Sequence, residues 1–525
     1  MASLAGGGAA LAQAVRAAYA AGQSDYGMEP LVLVDGRGAP VGPVRDGDAV
    51  VFCCRRGERE VQLTEAFVEP GFRHFPRRAL RDLTFVILTL YHDKFVHLPV
   101  AFAPAEVGET LGEVVSRAGL RQLRVAESEK AAHITYFLNG CRAQPFPGQD
   151  DVRVPSLHGV AWEDTPEMSL PLVADRVIAG LQEGYALIAA NVANGDVIGH
   201  TASHPGKIAC AAAIDRHLGR MVGAAVAAGY VVLVTADHGN LEVMARPDGG
   251  PHVAHTASPV PLVLIDARAP APALLVSGSL ADVAPTVLHA LGLAVPAAMT
   301  GRTLAPGHAW GARRMLLLIL DGWGCGAADE GNPIHLASTP VWDGLLAHHP
   351  HTRLLAAGPA VGLEAGKPGN SEAGHLNIGA GRVVVQDDVR LDQALQDGSF
   401  AANPVLRSAL DGVRRRGAAL HLLGLLSERS SHGSIAYPLA ILRMAREAGV
   451  RRAWLHLILD GRSTAPGSAP AMLAALDARL AEIGLGQVAS AVGRGLALDR
   501  DGDYDKTRRA YEAMVLGRGR PCQLT

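Results

Sequence analysis

Carboxylates and imidazoles recur in this chain at spacings suited to divalent metal ions. The run Val-Leu-Val-Thr-Ala-Asp-His-Gly-Asn at 232–240 ends a continuous apolar stretch in Asp237 and His238, and Leu-Leu-Leu-Ile-Leu-Asp-Gly-Trp-Gly at 316–324 ends another in Asp321. A buried parallel strand delivers ligands to the carboxyl edge of its sheet in this way. Asn-Gly-Asp-Val-Ile-Gly-His sets Asp196 and His200 four apart, as on one face of a helical turn, and Pro-His-Val-Ala-His carries His252 and His255. One Asp-His pair after a strand is commonly a hydrogen-bonded loop. Three such pairs together with Asp321 point to a metal centre. Mixed carboxylate and imidazole ligands suit Mn²⁺ or Zn²⁺ better than Ca²⁺, whose ligands are nearly all oxygen.

A glycine-punctuated run, Gly-Lys-Pro-Gly-Asn-Ser-Glu-Ala-Gly-His at 366–375, carries Ser371. Alone it is ordinary turn chemistry. Beside divalent ions it gains a second meaning, because a metal that acidifies bound water can also ionise a serine hydroxyl into a nucleophile. A third group is cationic: Arg56 and Arg59 in Cys-Arg-Arg-Gly-Glu-Arg, Arg462 in Asp-Gly-Arg-Ser-Thr, Arg494 and Arg500 in Gly-Arg-Gly-Leu-Ala-Leu-Asp-Arg, and Lys130 in Glu-Ser-Glu-Lys. Guanidinium forks match carboxylate and phosphate, although any one of these residues alone reads as a solvated surface charge.

The elements that must position these groups alternate. Strand-like runs at 49–52, 85–88, 186–191, 231–234, 261–265, 315–320, 420–423 and 453–459 are interleaved with helical patterns at 172–182, 208–228 and 471–483. That alternation predicts an α/β chain with two domains and mostly parallel sheets. The clearest linker is 305–314, with Pro-Gly-His-Ala-Trp-Gly-Ala-Arg-Arg, and no internal repeat is visible. At 525 residues and 49% hydrophobic, the chain exceeds what one core usually supports. Its net charge of −3, with scattered basic residues, gives no argument for nucleic acid or an anionic membrane. The partner expected is a small molecule, and the chain is expected to be a cytoplasmic monomer without a signal sequence or membrane span. Six cysteines without C-x-x-C spacing indicate neither a zinc ribbon nor a disulfide framework.

Taken together, these motifs resemble the cofactor-independent (2,3-bisphosphoglycerate-independent) phosphoglycerate mutases of the alkaline phosphatase superfamily. The order is exchanged. Residues from about 10 to 304, through Gln-Leu-Arg-Val-Ala-Glu-Ser-Glu-Lys, Thr-Ala-Asp-His-Gly-Asn and Met-Thr-Gly-Arg, resemble the family's C-terminal part. Residues 315–518, opening with Leu-Asp-Gly-Trp-Gly and including Gly-Asn-Ser-Glu-Ala-Gly-His-Leu-Asn-Ile-Gly-Ala-Gly-Arg, resemble its N-terminal part. This is the pattern of a circular permutation jointed at 305–314. It implies an alkaline-phosphatase-like metal domain at 94–388 and a smaller α/β transferase domain split between 1–93 and 389–525.

The resemblance further implies that Asp196, His200 and His255 hold one Mn²⁺, with Zn²⁺ or Co²⁺ as alternatives, and that Asp237, His238, Asp321 and Ser371 hold a second. Ser371 would take the phosphoryl group and Lys130 would steady it. Arg56, Arg59, Arg462, Arg494 and Arg500 would hold substrate phosphate and carboxylate, with His432 as proton donor. The sequence also departs from the family. Asp-Gly-Arg-Asp-Thr reads Asp-Gly-Arg-Ser-Thr, so Ser463 replaces a carboxylate thought to act as base. Phe-Asn-Phe-Arg has become Cys-Cys-Arg-Arg, adding Arg55, and the stretch around His432 lacks a second histidine and an aspartate. The implied reaction is a 2-/3-phosphoglycerate mutase-type transfer through Ser371. The alternative is a phosphoryl or phosphonyl transferase of specialised metabolism, moving its group from a different, nucleotide-activated donor to a glycerate-like acceptor. A phosphatase is the third reading. Each takes a small phosphorylated or phosphonylated carboxylic acid.

Overall fold

The computed structural model describes residues 7–523 apart from 56, 104–106, 158, 269–274, 311, 312 and 431. The chain divides into two compact units, one formed by 1–104 with 390–525 and the other by 105–389. The first boundary falls beyond the expected 93/94 because the short strand Val100–Phe102 pairs in parallel with Thr84–Thr89 and so extends the first unit.

The unit 105–389 is built on an eight-stranded sheet. Its order is Gly278–Ser279, His351–Leu355, Val260–Ile265, Val231–Thr235, Met315–Leu320, Leu187–Val192, Gln122–Glu127 and Gln149–Val154. Met315–Leu320 lies between Leu187–Val192 and Val231–Thr235, parallel to both. All three strands are wholly buried, which is why they read as unbroken apolar runs. Among the described strands of this sheet, Val260–Ile265 alone runs against its neighbours on both sides.

Helices cover this sheet for reasons visible in their sequences. His204–Ala227 starts at Ser203, whose hydroxyl accepts from the Gly206 amide, with Pro205 in its first turn. Cys210, Ile214, Leu218, Met221 and Ala225 recur at three- and four-residue spacing and form its buried stripe. Gly229, at φ +73°, ends the run. Removing the Leu218 side chain would cost about 2–5 kcal/mol.

The other unit has its own eight-stranded sheet. The order is Arg520–Gln523, Leu31–Val34, Gln487–Gly493, Ala453–Leu459, Leu420–Leu426, Ala49–Phe52, Thr84–Thr89 and Val100–Phe102. All neighbours are parallel except Leu31–Val34 against Gln487–Gly493. The architecture is α/β with two mostly parallel sheets.

The expected linker 305–314 is not a loose connection where it is described. Ala305 and Trp310 are buried, His308 Nε2 lies 3.3 Å from Asp266 Oδ2, and the Arg313 amide donates to Ala290 O. Residues 311 and 312 of that joint lie outside the described residues. At the two ends of the chain, helix Gly7–Ala20 packs on strand Arg520–Gln523.

Candidate metal centre and anion-binding edge

In the unit 105–389, Asp237, His238, Asp321, Asp196 and Ser371 lie just past the carboxyl end of a strand or in the first turn of a helix, His200 caps the end of helix Asn194–Gly199, and His255 lies in the loop before strand Val260–Ile265. Asp321 follows Met315–Leu320 directly, and Asp237 and His238 follow Val231–Thr235. Asp196 and His200 belong to the turn of helix Asn194–Gly199 after Leu187–Val192, and Ser371 is the first residue of helix Ser371–Ala380. Asn370 caps that helix by accepting from the Ala373 amide. A β-carbon on Gly374 would stand 2.6 Å from Asp237 O, so only glycine lets this helix approach the strand end. Gly322 turns at φ +76°, with Asp196 N 2.7 Å from where its β-carbon would be.

The Ser371 hydroxyl is surrounded. Lys130 Nζ lies 2.6 Å from Ser371 Oγ, His238 Nε2 2.9 Å and Asp321 Oδ1 3.1 Å. Lys130 Nζ also donates to Asp196 Oδ2 at 2.7 Å and Asp321 Oδ1 at 2.9 Å. Asp196 Oδ1 faces His255 Nε2 at 3.1 Å and His200 Nε2 at 3.2 Å, and His238 Nε2 stands 3.4 Å from Asp321 Oδ1. Backbone carbonyls of Val253 and Gly369 orient the outer nitrogens of His200 and His255, each at 2.9 Å.

The donor atoms of Asp196, His238 and His255 all lie within 4.8 Å of one another, as do those of Asp237, Asp321 and His375. His238 thus sits between the two expected ligand sets, 3.5 Å from Asp237 Oδ2 and 3.8 Å from Asp196 Oδ1. His375 was not among the expected site residues. It lies four residues after Ser371 on the same helix, a spacing that could have signalled it. Its Nδ1 is 3.2 Å from Asp237 Oδ2, and Nε2 is 3.0 Å from the Asn191 amide nitrogen. His133, in a π-helical turn His133–Phe137, places its ring centroid 5.6 Å from that of His375.

Three buried carboxylates, Asp196, Asp237 and Asp321, meet one buried ammonium, Lys130, which leaves an excess of two negative charges. Uncompensated buried charge costs several kcal/mol per ion. The pocket's field accordingly favours positive species. Burial opposes charge on His238, but Asp237, Asp321 and Asp196 outweigh it and push the imidazole up to about 9. Burial likewise opposes the Lys130 ammonium, and Asp321, Asp196 and Asp237 hold it above the usual lysine range. Asp237 Oδ2 is buried and accepts no hydrogen bond, while His200 Nε2 and His255 Nε2 face each other at 3.1 Å. A donor set with an orphaned carboxylate oxygen, facing imidazole nitrogens and excess negative charge fits divalent cations.

The other unit gathers a second set at the carboxyl ends of its parallel strands. Arg494 follows Gln487–Gly493 and is ion-paired with buried Asp460 at the end of Ala453–Leu459. Asp460 Oδ2 accepts from the Ser463 amide at 3.3 Å, and Ser463 Oγ lies 3.2 Å from Ser430 Oγ. His432 Nδ1 stands 3.3 Å from Glu60 Oε1. Arg59 donates to Leu498 O at 3.1 Å, whereas Arg462 and Arg500 are exposed. Arg56 lies outside the described residues. Arg55, Glu60 and Ser430 join this set without having been among the expected residues: Arg55 and Glu60 meet the His432 loop only through the fold, whereas Ser430 is its neighbour two positions earlier in the chain.

The "Metalloenzyme superfamily" family model matches residues 28–295, just over half of the chain. The chain belongs to the metalloenzyme superfamily. A second model, "BPG-independent PGAM N-terminus", matches residues 391–524 of this metalloenzyme. A segment named for an N-terminus therefore occupies the C-terminal part, the exchanged order that the motifs indicated. The 2,3-bisphosphoglycerate-independent phosphoglycerate mutase of Moorella thermoacetica is 45% identical over 294 residues, 56% of this chain and 56% of that protein. That of Desulforudis audaxviator is 46% identical over 296 residues, covering 56% and 57%. The chain spans about half the length of the curated relatives it matches. A phosphoglycerate mutase structure from Leishmania mexicana, at low cobalt concentration, is 27% identical with a TM-score of 0.42, covering 52% of this chain and 53% of that one.

Proposed function

We propose that this metalloenzyme transfers a phosphoryl group through Ser371 and interconverts 2- and 3-phosphoglycerate. The observation that carries the reading is the setting of Ser371 Oγ, within 2.6–3.1 Å of Lys130 Nζ, His238 Nε2 and Asp321 Oδ1. Two divalent ions, Mn²⁺ in the first instance, held by Asp196, His200, His255, Asp237, His238 and Asp321 with Ser371, would neutralise phosphate charge and acidify the serine. His375 is placed to serve as an additional ligand.

With divalent ions bound, Ser371 Oγ would release its proton to solvent water, and the resulting alkoxide attacks phosphorus. The bond from phosphorus to the glycerate oxygen breaks, and the oxygen departs with the electron pair. The second half-reaction runs in reverse, with the neighbouring glycerate hydroxyl attacking phosphoserine. Lys130, charged and fixed by two carboxylates, steadies the transferred group. Recognition of the substrate's carboxylate and phosphate is assigned to Arg56, Arg59, Arg462, Arg494 and Arg500, and acid–base exchange at the glycerate oxygens to His432. A cytoplasmic monomer acting on a small phosphorylated or phosphonylated carboxylic acid completes the reading.

One observation favours a second reading. Ser463 and Ser430 present paired hydroxyls where a carboxylate base would act, which suits an acceptor activated differently and a phosphoryl or phosphonyl donor other than phosphoglycerate. Acid-quenched turnover followed by peptide mass spectrometry tests the shared step. Phosphate on Ser371 after incubation with 3-phosphoglycerate supports the mutase. Modification of Ser371 only with a nucleotide-activated donor moves the assignment to the transferase.

A further inference from the structure

Glu60 is fully buried, and its Oε1 lies 3.3 Å from His432 Nδ1. A buried carboxylate costs free energy unless its partners hold it, so its position beside an imidazole is informative. The loop carrying His432 is fixed independently. The Arg55 amide donates to His432 O at 2.9 Å, Arg55 Nη2 donates to Ser430 O at 2.9 Å, and Cys54 bridges Gly433. Arg55 is itself held by Tyr437 OH, which donates to Asp392 Oδ1 at 3.2 Å. The His432 amide faces Ser430 Oγ at 3.4 Å, and that hydroxyl reaches Ser463 Oγ at 3.2 Å. Through Ser430, the backbone of His432 is therefore linked to Ser463, the position that offers no carboxylate.

We propose that Glu60 is a positioning residue that holds His432 with Nδ1–H toward the carboxylate and Nε2 toward substrate, so that the Glu60–His432 pair supplies the base function that Ser463 cannot. The inference rests on the mutase-type reading for its substrate, though not for the pairing itself. In the step it serves, the O–H bond of the attacking glycerate hydroxyl breaks, and a new N–H bond forms at His432 Nε2. The oxygen keeps the electron pair. In the opposite half-reaction the proton returns from Nε2 to the oxygen that leaves phosphorus, and Nδ1–H stays bonded to Glu60 throughout. A carboxylate behind the imidazole fixes its tautomer and stabilises the imidazolium that forms.

The neighbours are compatible with this division of labour. Burial pushes the Cys54 thiol and the Tyr91 phenol well above their usual ranges, and the Glu60 charge adds to both. They stay neutral across the range in which an ordinary histidine titrates. Among the described residues, Arg494 is neutralised by Asp460, Arg55 is turned to Tyr437 and Ser430 O, and Arg59, beside Glu60 in the chain, donates to Leu498 O.

The test uses the full chain with Glu60→Gln and Glu60→Asp, 3-phosphoglycerate as substrate, and nitrogen NMR of labelled histidine in Zn²⁺-loaded protein. Glu60→Gln is expected to lower kcat by about tenfold to a hundredfold with KM within about threefold. The His432 titration midpoint is expected to fall by about one unit, because a carboxylate that favours imidazolium is gone. Glu60→Asp should recover part of both. An unmoved His432 titration in Glu60→Gln overturns the proposal whether or not turnover falls, since a merely structural role would leave the imidazole unchanged. A shifted titration in a protein that does not interconvert phosphoglycerates upholds the pairing and removes only the mutase reading.

Discussion

His200 Nε2 and His255 Nε2 face each other at 3.1 Å, and each also lies within 3.2 Å of Asp196 Oδ1. Two imidazole nitrogens and a carboxylate oxygen at such distances share one focus, which a divalent cation satisfies better than any proton arrangement. Metal analysis of the dialysed protein should find close to two divalent ions per chain, and Asp196→Asn should retain close to one. No bound metal in wild type would contradict the account of the cluster.

On the proposed mechanism Lys130 would bear on chemistry more than on metal retention. Replacing it with methionine removes the donor 2.6 Å from Ser371 Oγ and increases the negative excess around Asp196 and Asp321. Lys130→Met should keep its metal and lose turnover by about 10²–10³, the cost of removing one preorganised donor. Metal analysis alongside steady-state kinetics separates the two effects. Unchanged turnover would remove Lys130 from the transfer step.

A buried chain of polar groups crosses the other unit's sheet. Asp48 Oδ2 lies 3.1 Å from His421 Nε2, His421 Nδ1 lies 3.1 Å from His456 Nε2, and His456 Nδ1 lies 2.8 Å from Ser490 Oγ. Burial lowers both imidazoles, against the pull of Asp48 on His421, so they are neutral when folded. The unfolded chain binds these protons below about pH 6.5, and the folded one does not. Stability is therefore present above that pH and falls as pH drops through it, by up to about 1.4 kcal/mol per unit for each histidine. Protection factors of the amides in strands Leu420–Leu426 and Ala453–Leu459, with the pH dependence of intrinsic amide exchange divided out, should fall from pH 7.5 to 5.5, with a shallower pH slope in His456→Gln. A flat profile would show that these histidines do not limit opening.

The exchanged order has a physical consequence. Gly7–Ala20 packs on Arg520–Gln523, so a short linker between the ends and a new opening within 305–314 should preserve both sheets. The opening costs some local packing, because His308 is tied to Asp266 and Trp310 is buried. Such a chain should be soluble with unchanged metal content. Aggregation at every linker length would count against the permutation.

The central strands and their ligands were readable because burial on both faces writes a strand as an apolar run, and the run's end locates Asp237 and Asp321. Peripheral strands were not. Gln149–Val154 carries exposed Asp150, Asp151 and Arg153, and His351–Leu355 alternates exposed and buried positions, so neither shows such a run. His375 was hidden in a motif noticed for its serine. Glu60 and His432 are 372 residues apart, and no local pattern announces a contact made only by neighbouring strand ends. The 305–314 segment has linker composition, yet Trp310 gives it enough apolar surface to pack.

The most direct test of phosphoryl transfer through Ser371 is phosphorus NMR of the Mn²⁺-loaded protein incubated with 3-phosphoglycerate and quenched with chelator. The account predicts 2-phosphoglycerate building to equilibrium in wild type and none in Ser371→Ala. Equal conversion by both proteins, or only free phosphate from wild type, would contradict it.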